Sequence, residues 1–83
     1  MTFSVLVEVS LRPGIADPQG ATIERSLPAL GFGGVAGVRV GKAIRFSLEA
    51  ADEADARGRV DELCQRLLTN PVIEQARTEV VAR

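Results

Sequence analysis

The feature that most constrains the fold is one alternating pattern that runs through residues 35–49. Apolar and polar side chains alternate there with a period of two, which is typical of a β-strand with one buried face. The even-numbered positions are Val38, Val40, Ile44, Phe46 and Leu48, and the odd-numbered ones are Arg39, Arg45, Ser47 and Glu49. The parity continues through Gly41 and Lys42, so a two-residue hairpin there would mix the two faces. We therefore predict one long strand that is bulged or bent at Gly41.

A strand of this length has a consequence for association. The fifteen residues 35–49 would extend about 50 Å at the rise of a β-strand, whereas the first predicted strand covers only residues 3–11. Part of the long strand would then find no partner within the chain, and an unpaired strand is a template for a second chain. The pattern predicts a homodimer, or a dimer of dimers, formed along this strand. The candidate dimer residues are Val38, Val40 and Ile44.

The segment before the long strand predicts a strand followed by a helix. Odd-numbered apolar residues mark the strand over residues 3–11, and Pro13 and Gly14 end it. Asp17 is placed to cap a helix whose first residue is Pro18. The inner face of this helix carries Ile23, Leu27 and Leu30, Pro28 should tighten its last turn, and Gly31 is placed to end it.

The segment after the long strand predicts a second helix and a last strand. The helix covers residues 52–68, is capped by Asp52 and ends before Asn70. Its inner face carries Ala56, Val60, Leu63 and Leu67 with Cys64 beside them, and its solvated face carries the pairs Glu53–Arg57, Asp55–Arg59 and Glu62–Arg66. Alternation over residues 75–82 completes a β-α-β-α-β order. We predict one α+β domain over residues 1–83, a small three-stranded sheet with two helices on one face.

Composition excludes several classes of function. The 83 residues include one Cys and no His, which rules out an intramolecular disulfide, a structural zinc site and Ser-His-Asp or Cys-His catalysis within one chain. A formal net charge of −1 and only three aromatic residues, all Phe, argue against a nucleic-acid binder. No apolar run is long enough to span a membrane, and residues 1–15 lack the features of a secretory signal. We therefore expect a cytoplasmic protein that is not an enzyme by itself.

Two glycine-rich stretches have the letters of phosphate-binding motifs without their context. Residues 31–36 match a dinucleotide fingerprint but follow a predicted helix instead of a strand, so we predict a loop. Residues 40–43 match the end of a phosphate loop but lack its earlier Gly and the Ser or Thr after Lys42. Lys42 sits on the apolar parity of its strand, where it either snorkels to solvent or contacts a partner. Cys64 is expected to be a small core residue.

Five short motifs stand in the order and spacing of one known family. They are Arg12-Pro13-Gly14, Asp17-Pro18-Gln19-Gly20, Leu30-Gly31-Phe32, Val38-Arg39-Val40-Gly41-Lys42 and Asn70-Pro71-Val72-Ile73-Glu74. With Cys64 ahead of Leu67-Leu68, the set closely resembles PurS, the small subunit of phosphoribosylformylglycinamidine (FGAM) synthase, over essentially the whole chain. Pro28 departs from the family pattern and bears on the geometry of the first helix.

The resemblance implies a non-catalytic subunit of an ATP-dependent ligase complex in cytoplasmic de novo purine biosynthesis. In this family a glutaminase subunit releases ammonia from glutamine. A large synthetase subunit, expected to hold ATP and Mg, adds that ammonia to formylglycinamide ribonucleotide to give the amidine. The small subunit dimerises, joins the other two and assists the passage of ammonia between them. On this basis the present chain would hold no cofactor and no metal, and would bind neither nucleic acid nor membrane.

The candidates for contacts with the larger subunits are turn residues and exposed cations, namely Arg12, Asp17, Gln19, Arg39 and Lys42. Each could instead be an ordinary turn or surface residue, and capping alone accounts for Asp17. An alternative hypothesis is a small ligand-sensing regulatory α/β module with an effector in the loop over residues 31–37. Such a module would be stabilised by its ligand in isolation, whereas a bridging subunit would not.

Overall fold

A computed structural model describes residues 1–83 and contains one antiparallel sheet of three strands. Strand β1 (Thr2–Leu11) lies in the centre, between β2 (Gly41–Glu49) and β3 (Glu74–Ala82). The register places Val5 beside Phe46 on one side and Val80 on the other. Odd-numbered residues of β1 therefore share a face with even-numbered residues of both neighbours, as the alternation predicts.

The core occupies one face of this sheet, and helix α2 (Glu53–Leu63) covers it. Because side chains alternate between the two faces of a strand, every second residue of β1 points toward the helix. The buried side chains are Phe3, Val5, Val7, Val9, Ala50, Ala56, Val60, Cys64 and Val80, with no polar side chain among them. The predicted inner position of Cys64 is therefore confirmed.

Helix α2 begins as predicted and ends differently. The Asp52 carboxylate accepts a hydrogen bond from the Asp55 N–H group at 2.8 Å. The three predicted i, i+4 pairs form, Glu53–Arg57 at 3.0 Å, Asp55–Arg59 at 3.2 Å and Glu62–Arg66 at 2.9 Å.

The helix continues into a wider π-helical turn over Cys64–Leu68. The Thr69 N–H and hydroxyl groups both donate to the Cys64 carbonyl oxygen, at 3.0 and 2.9 Å. The wider turn places Leu68 against the core and leaves Leu67 73% exposed. The predicted inner position of Leu67 is therefore wrong.

Helix α1 (Pro18–Ser26) begins as predicted, but it ends at Ser26, before the predicted stop at Gly31, and its environment differs from the prediction. A 3₁₀ turn over Pro28–Leu30 follows the helix and is the tightened turn expected from Pro28. Gly31 ends this 3₁₀ turn in the left-handed conformation with φ +92°. Its predicted inner face is open, because Ile23 is 45% exposed and Leu30 69% exposed. The α+β class and the element order are confirmed, but within one chain α2 alone covers the sheet. The part of the sheet face that β2 contributes remains only partly buried at Ile44, Phe46 and Leu48.

The long second strand is not found. Strand β2 begins at Gly41, and its nine residues all pair with β1. Residues 35–40 lie beyond the last pair between β1 and β2, Ser10 and Gly41. The N–H groups of Val38 and Val40 instead donate to side chains of Glu24 and Asp17, each at 2.8 Å. The prediction of a single strand over residues 35–49 is wrong. Val38 and Val40 lie outside β2, and of the candidate dimer residues only Ile44 belongs to it.

The chain is extended, with principal dimensions of 52 × 27 × 14 Å and a radius of gyration of 16.4 Å, where a compact chain of this length has about 12 Å. Its accessible surface of 5719 Å² exceeds that of a typical folded monomer of its mass by about 900 Å². The segment 18–40, here called the arm, contributes only Gly20 to the buried residues. It exposes Ile23, Leu30, Phe32 and Val35. The open surface of this protein is therefore concentrated on the arm and on the face of β2.

Candidate interaction surface

The five candidate contact residues lie at one end of the sheet. At this end, here called the polar end, β1 finishes and both other strands begin, with Ser10 opposite Gly41 and Leu11 opposite Glu74. The turn after β1, the start of α1 and the end of the arm all meet the sheet there. The structure thus brings together the segments that carry Arg12, Asp17, Gln19, Arg39 and Lys42.

Arg12 joins the turn after β1 to the turn before β3. Its side-chain Nε donates to the Pro71 carbonyl oxygen at 3.0 Å, and its backbone N–H donates to the Ile73 carbonyl oxygen at 2.8 Å. Gly14, with φ +86°, allows the chain to reverse after Arg12. The side chain is exposed, so its remaining N–H groups are free to meet a carboxylate of another chain.

Asp17 caps α1, as the sequence predicts, and also binds the far end of the arm. Its Oδ1 accepts from the Gly20 N–H group at 2.9 Å, and its Oδ2 accepts from the Val40 N–H group at 2.8 Å. These two hydrogen bonds, with the nearby charge of Arg39, hold the pKa of the Asp17 carboxyl below its ordinary value of 3.8 against the opposing effect of burial. The side chain is only 7% exposed, so its surface for a second protein is small. The predicted partner contact of Asp17 stays a prediction.

Arg39 ties the arm to the end of β1. Its guanidinium donates to the Leu11 and Ile15 carbonyl oxygens at 3.4 and 3.5 Å, and its Nε lies 4.0 Å from Asp17 Oδ2. The side chain remains 48% exposed. Arg39 therefore has a structural role within the chain and keeps part of its surface for a partner.

Lys42 is the candidate residue at the polar end whose charge is not paired within the chain. It lies opposite Val9 on the apolar side of the sheet, as its parity predicts, and it is exposed. Its ammonium group makes no hydrogen bond or ion pair within the chain. Gln19 is also exposed, and its side chain lies near Lys42 at this end of the sheet.

Two adjoining grooves shape the polar end. One, of about 330 Å³, lies between α1 and β2 and includes Asp17, Gln19 and Lys42. The other, of about 450 Å³, includes Arg12 and Cys64, and Glu74 lines both grooves. Charges of both signs therefore line a recessed surface. This chemistry suits a contact with another protein, because oppositely charged groups on a partner can pair with it.

Chemically reactive groups are scarce in this chain. No group of three or more Cys, Asp or Glu side chains is placed to hold a metal ion. The Cys64 thiol is buried, and burial together with the negative charge of Asp61 raises its pKa above 9.0. No helix is both long and apolar enough to cross a membrane.

Sequence reasoning missed two residues of this region. Glu24 accepts a hydrogen bond from Val38, and Gly20 is buried where the arm folds back. A signal for Glu24 was present, since it lies seven residues after Asp17, two helical turns further along the same face. The exposed Phe32 and Val35 had no such signal, because a loop sequence does not show which apolar residues stay uncovered.

Comparison with known proteins identifies the family. The profile of PurS, described as phosphoribosylformylglycinamidine (FGAM) synthase, matches residues 4–82. The chain belongs to the PurS family. It is 45% identical over 76 residues to the FGAM synthase subunit PurS of Synechocystis, covering 92% of this chain and 76% of that one. It is 38% identical over 78 residues to the PurS subunit of Bacillus subtilis, covering 94% and 92% of the two chains.

Solved PurS structures share the fold. A PurS structure from B. subtilis superposes with a TM-score of 0.86 at 38% identity, covering 96% of this chain and 99% of that one. A chain in the structure of PurLQS from Thermotoga maritima superposes with a TM-score of 0.89 at 33% identity, covering 98% and 99%. The PurS resemblance and the α+β prediction are both confirmed.

Proposed function

We propose that this chain is the PurS subunit of an FGAM synthase in de novo purine biosynthesis. The observation that carries the proposal is the match to curated PurS subunits over more than nine-tenths of the chain. The complex would convert formylglycinamide ribonucleotide to formylglycinamidine ribonucleotide, using ATP and glutamine. A chain with no His and one buried thiol fits a non-catalytic part of such a complex, because general acid–base and nucleophilic groups are then supplied by its partners.

In this role the chain holds a glutaminase subunit and a synthetase subunit together and assists the transfer of ammonia. Transfer requires two fixed active sites and a route that excludes water, and it does not require a base on the bridging subunit. ATP and Mg²⁺ would be held by the synthetase subunit, and the proposed setting is the cytoplasm. The likeness to a chain of the T. maritima PurLQS structure supports this assembly. The polar end is the proposed contact with the larger subunits.

A second copy of the chain is the proposed partner of the remaining open surface. Strand β2 is an edge strand, and Ile44, Phe46 and Leu48 are only partly buried on its core face. The surplus surface of about 900 Å² is close to the roughly 800 Å² that one protein contributes to a standard interface. A homodimer that buries the arm and the face of β2 would remove this surplus. A dimer of dimers would use a further surface.

Reconstitution with the two larger subunits tests the proposed function. Glutamine-dependent synthesis of the amidine should require this chain, whereas ammonia-dependent synthesis by the synthetase subunit should need it much less. Full glutamine-dependent activity without the chain would refute the role. Sedimentation of the isolated chain tests the homodimer separately, and a monomer at micromolar concentration would refute it.

The regulatory-module hypothesis is not favoured. It places an effector in residues 31–37, and every residue of that loop is exposed in the structure. Small-molecule sites are concave and bury most of their ligand.

A further inference from the structure

Two carboxylates at opposite ends of α1, Asp17 at its N-cap and Glu24 near its C-terminal end, bind one stretch of extended backbone. Asp17 Oδ2 accepts from the Val40 N–H group and Glu24 Oε1 from the Val38 N–H group, each at 2.8 Å. Asp17 and Glu24 lie two turns apart on one side of the helix. N–H groups two residues apart in an extended chain point the same way. The two hydrogen bonds therefore form a single contact between α1 and residues 38–40.

We propose that Asp17 and Glu24 form a latch that holds residues 38–40 on α1, so that the arm closes on itself and β2 begins at Gly41. Backbone N–H groups that are not paired need another acceptor, and a sheet edge is where an alternating segment would find one. The two carboxylates supply this acceptor instead. Hydrogen bonds to an ionised carboxylate are also stronger than those between neutral groups.

Gly20 and Arg39 support the latch, Gly20 by its close contact with residue 38 and Arg39 by its hydrogen bonds to the end of β1. A Cβ atom on Gly20 would lie 2.5 Å from the Val38 carbonyl oxygen, so the segment approaches α1 as closely as a glycine permits. Arg39, between the two latched residues, donates to the Leu11 and Ile15 carbonyl oxygens. The latch thereby fixes the arm to the end of β1 and orients the exposed part of Arg39.

The charges around the latch determine its response to acid. Arg39 faces Asp17 at 4.0 Å, and Lys42 and Glu74 line the same groove. The pKa of Asp17 is lowered by its hydrogen bonds to Gly20 and Val40 and by Arg39. Because the folded pKa is the lower one, the stabilisation is present above the unfolded value near 3.8 and is lost as pH falls through the folded value. The latch is therefore closed at neutral pH and opens in acid.

Amide hydrogen exchange of the full chain, followed residue by residue by NMR, tests the latch with Asp17→Asn. The asparagine carbonyl can still accept from Gly20 and cap α1, but its NH₂ group would then face the Val40 N–H group. We expect the protection of both Val38 and Val40 to fall about tenfold or more, while the amides of α1 keep theirs. The matched control is Asp52→Asn, which makes the same change at the cap of α2 and should leave the protection of Val38 and Val40 unchanged.

Protection of Val38 that survives Asp17→Asn would overturn the proposal, since the two hydrogen bonds would then be separate contacts. An equal loss in Asp52→Asn would overturn it as well. Should Asp17→Asn not fold, acid titration of the wild-type chain decides. The Val40 amide shift should move with a midpoint below 3.8, and the protection of Val38 should fall over the same range. No movement of Val40, or a change confined to Val40, would refute the latch. Neither experiment involves the larger subunits, so failure here leaves the proposed function untouched.

Discussion

Gly20 and Val38 approach each other so closely that no side chain fits between them. A Cβ atom built on Gly20 would lie 2.5 Å from the Val38 carbonyl oxygen and 2.6 Å from Asp17 Oδ2. Neither atom can yield easily, because the first belongs to the backbone and the second already accepts a hydrogen bond from Val40. The closeness of this contact, and not a positive φ angle, requires glycine at this position.

Gly20→Ala is therefore expected to destabilise the protein although alanine is the better helix former. The overlap should cost about 1–3 kcal/mol in the free energy of unfolding, measured by urea denaturation. The matched control is Gly58→Ala in α2, where nothing lies within 4 Å of the new Cβ atom. That substitution should stabilise the protein by about 0.5–1 kcal/mol. Equal effects of the two substitutions would show that the close contact at Gly20 is not maintained in solution.

The π-helical turn predicts different roles for two adjacent leucines. Leu68 packs against the core and Leu67 is 73% exposed. Leu68→Ala should lower the free energy of unfolding by about 1–2 kcal/mol, in proportion to its partial burial. Leu67→Ala should change it by less than about 0.5 kcal/mol. If Leu67→Ala lowered the free energy of unfolding of the isolated chain more than Leu68→Ala does, the wider turn would be contradicted.

Local rules predicted most of the elements of this fold. The caps Asp17 and Asp52 act within one helical turn of themselves, so their neighbours in sequence suffice to place them. The alternation of β1 likewise follows from the single face that α2 covers. These features depend on residues that are close in sequence or on one buried surface.

The errors arose where a distant group determined the outcome. Alternation continues through Val38 and Val40, but a strand also needs a partner for its N–H groups. Here those groups donate to Glu24 and Asp17 instead. The apolar face of α1 was recognised correctly as apolar. Periodicity does not show whether such a face is covered by its own chain or by a second one. The sequence indicated the residues of the candidate site. The register of the sheet determined that these residues meet at the polar end.

Lys42 provides the cleanest test of the polar end as a partner contact. Its charge makes no contact within the chain, so Lys42→Glu should leave the free energy of unfolding nearly unchanged. We expect its association with the larger subunits to slow by about fivefold or more at low salt, because rim charges act mainly on the association rate. Arg39→Glu is less informative, since it also removes the hydrogen bonds to Leu11 and Ile15. Surface plasmon resonance at two salt concentrations would measure the effect.

Arg57→Glu is the control for Lys42→Glu, because it makes the same reversal of charge on the solvated face of α2. It should leave the association rate unchanged. If both variants bind the larger subunits equally well, the polar end does not contact them, and Arg12 and Gln19 lose their proposed role with it.

The buried thiol predicts how stability responds to alkaline pH. Burial and the charge of Asp61 raise the pKa of Cys64 above 9.0 in the folded chain. The folded state therefore holds its proton where the unfolded state has lost it. The resulting stabilisation is complete below the unfolded pKa and is lost as pH rises through the folded value.

Comparison with Cys64→Ala isolates this contribution from those of other titrating groups. The wild-type chain should be more stable than the variant at pH 7, because the thiol fills its site in the core. That advantage should shrink as pH is raised beyond 9.0, as measured by urea denaturation at a series of pH values. In the same range, alkylation of the folded protein should stay slower than that of the urea-unfolded chain. A constant advantage at every pH, with alkylation as fast in the folded as in the unfolded chain, would place the thiol in contact with solvent.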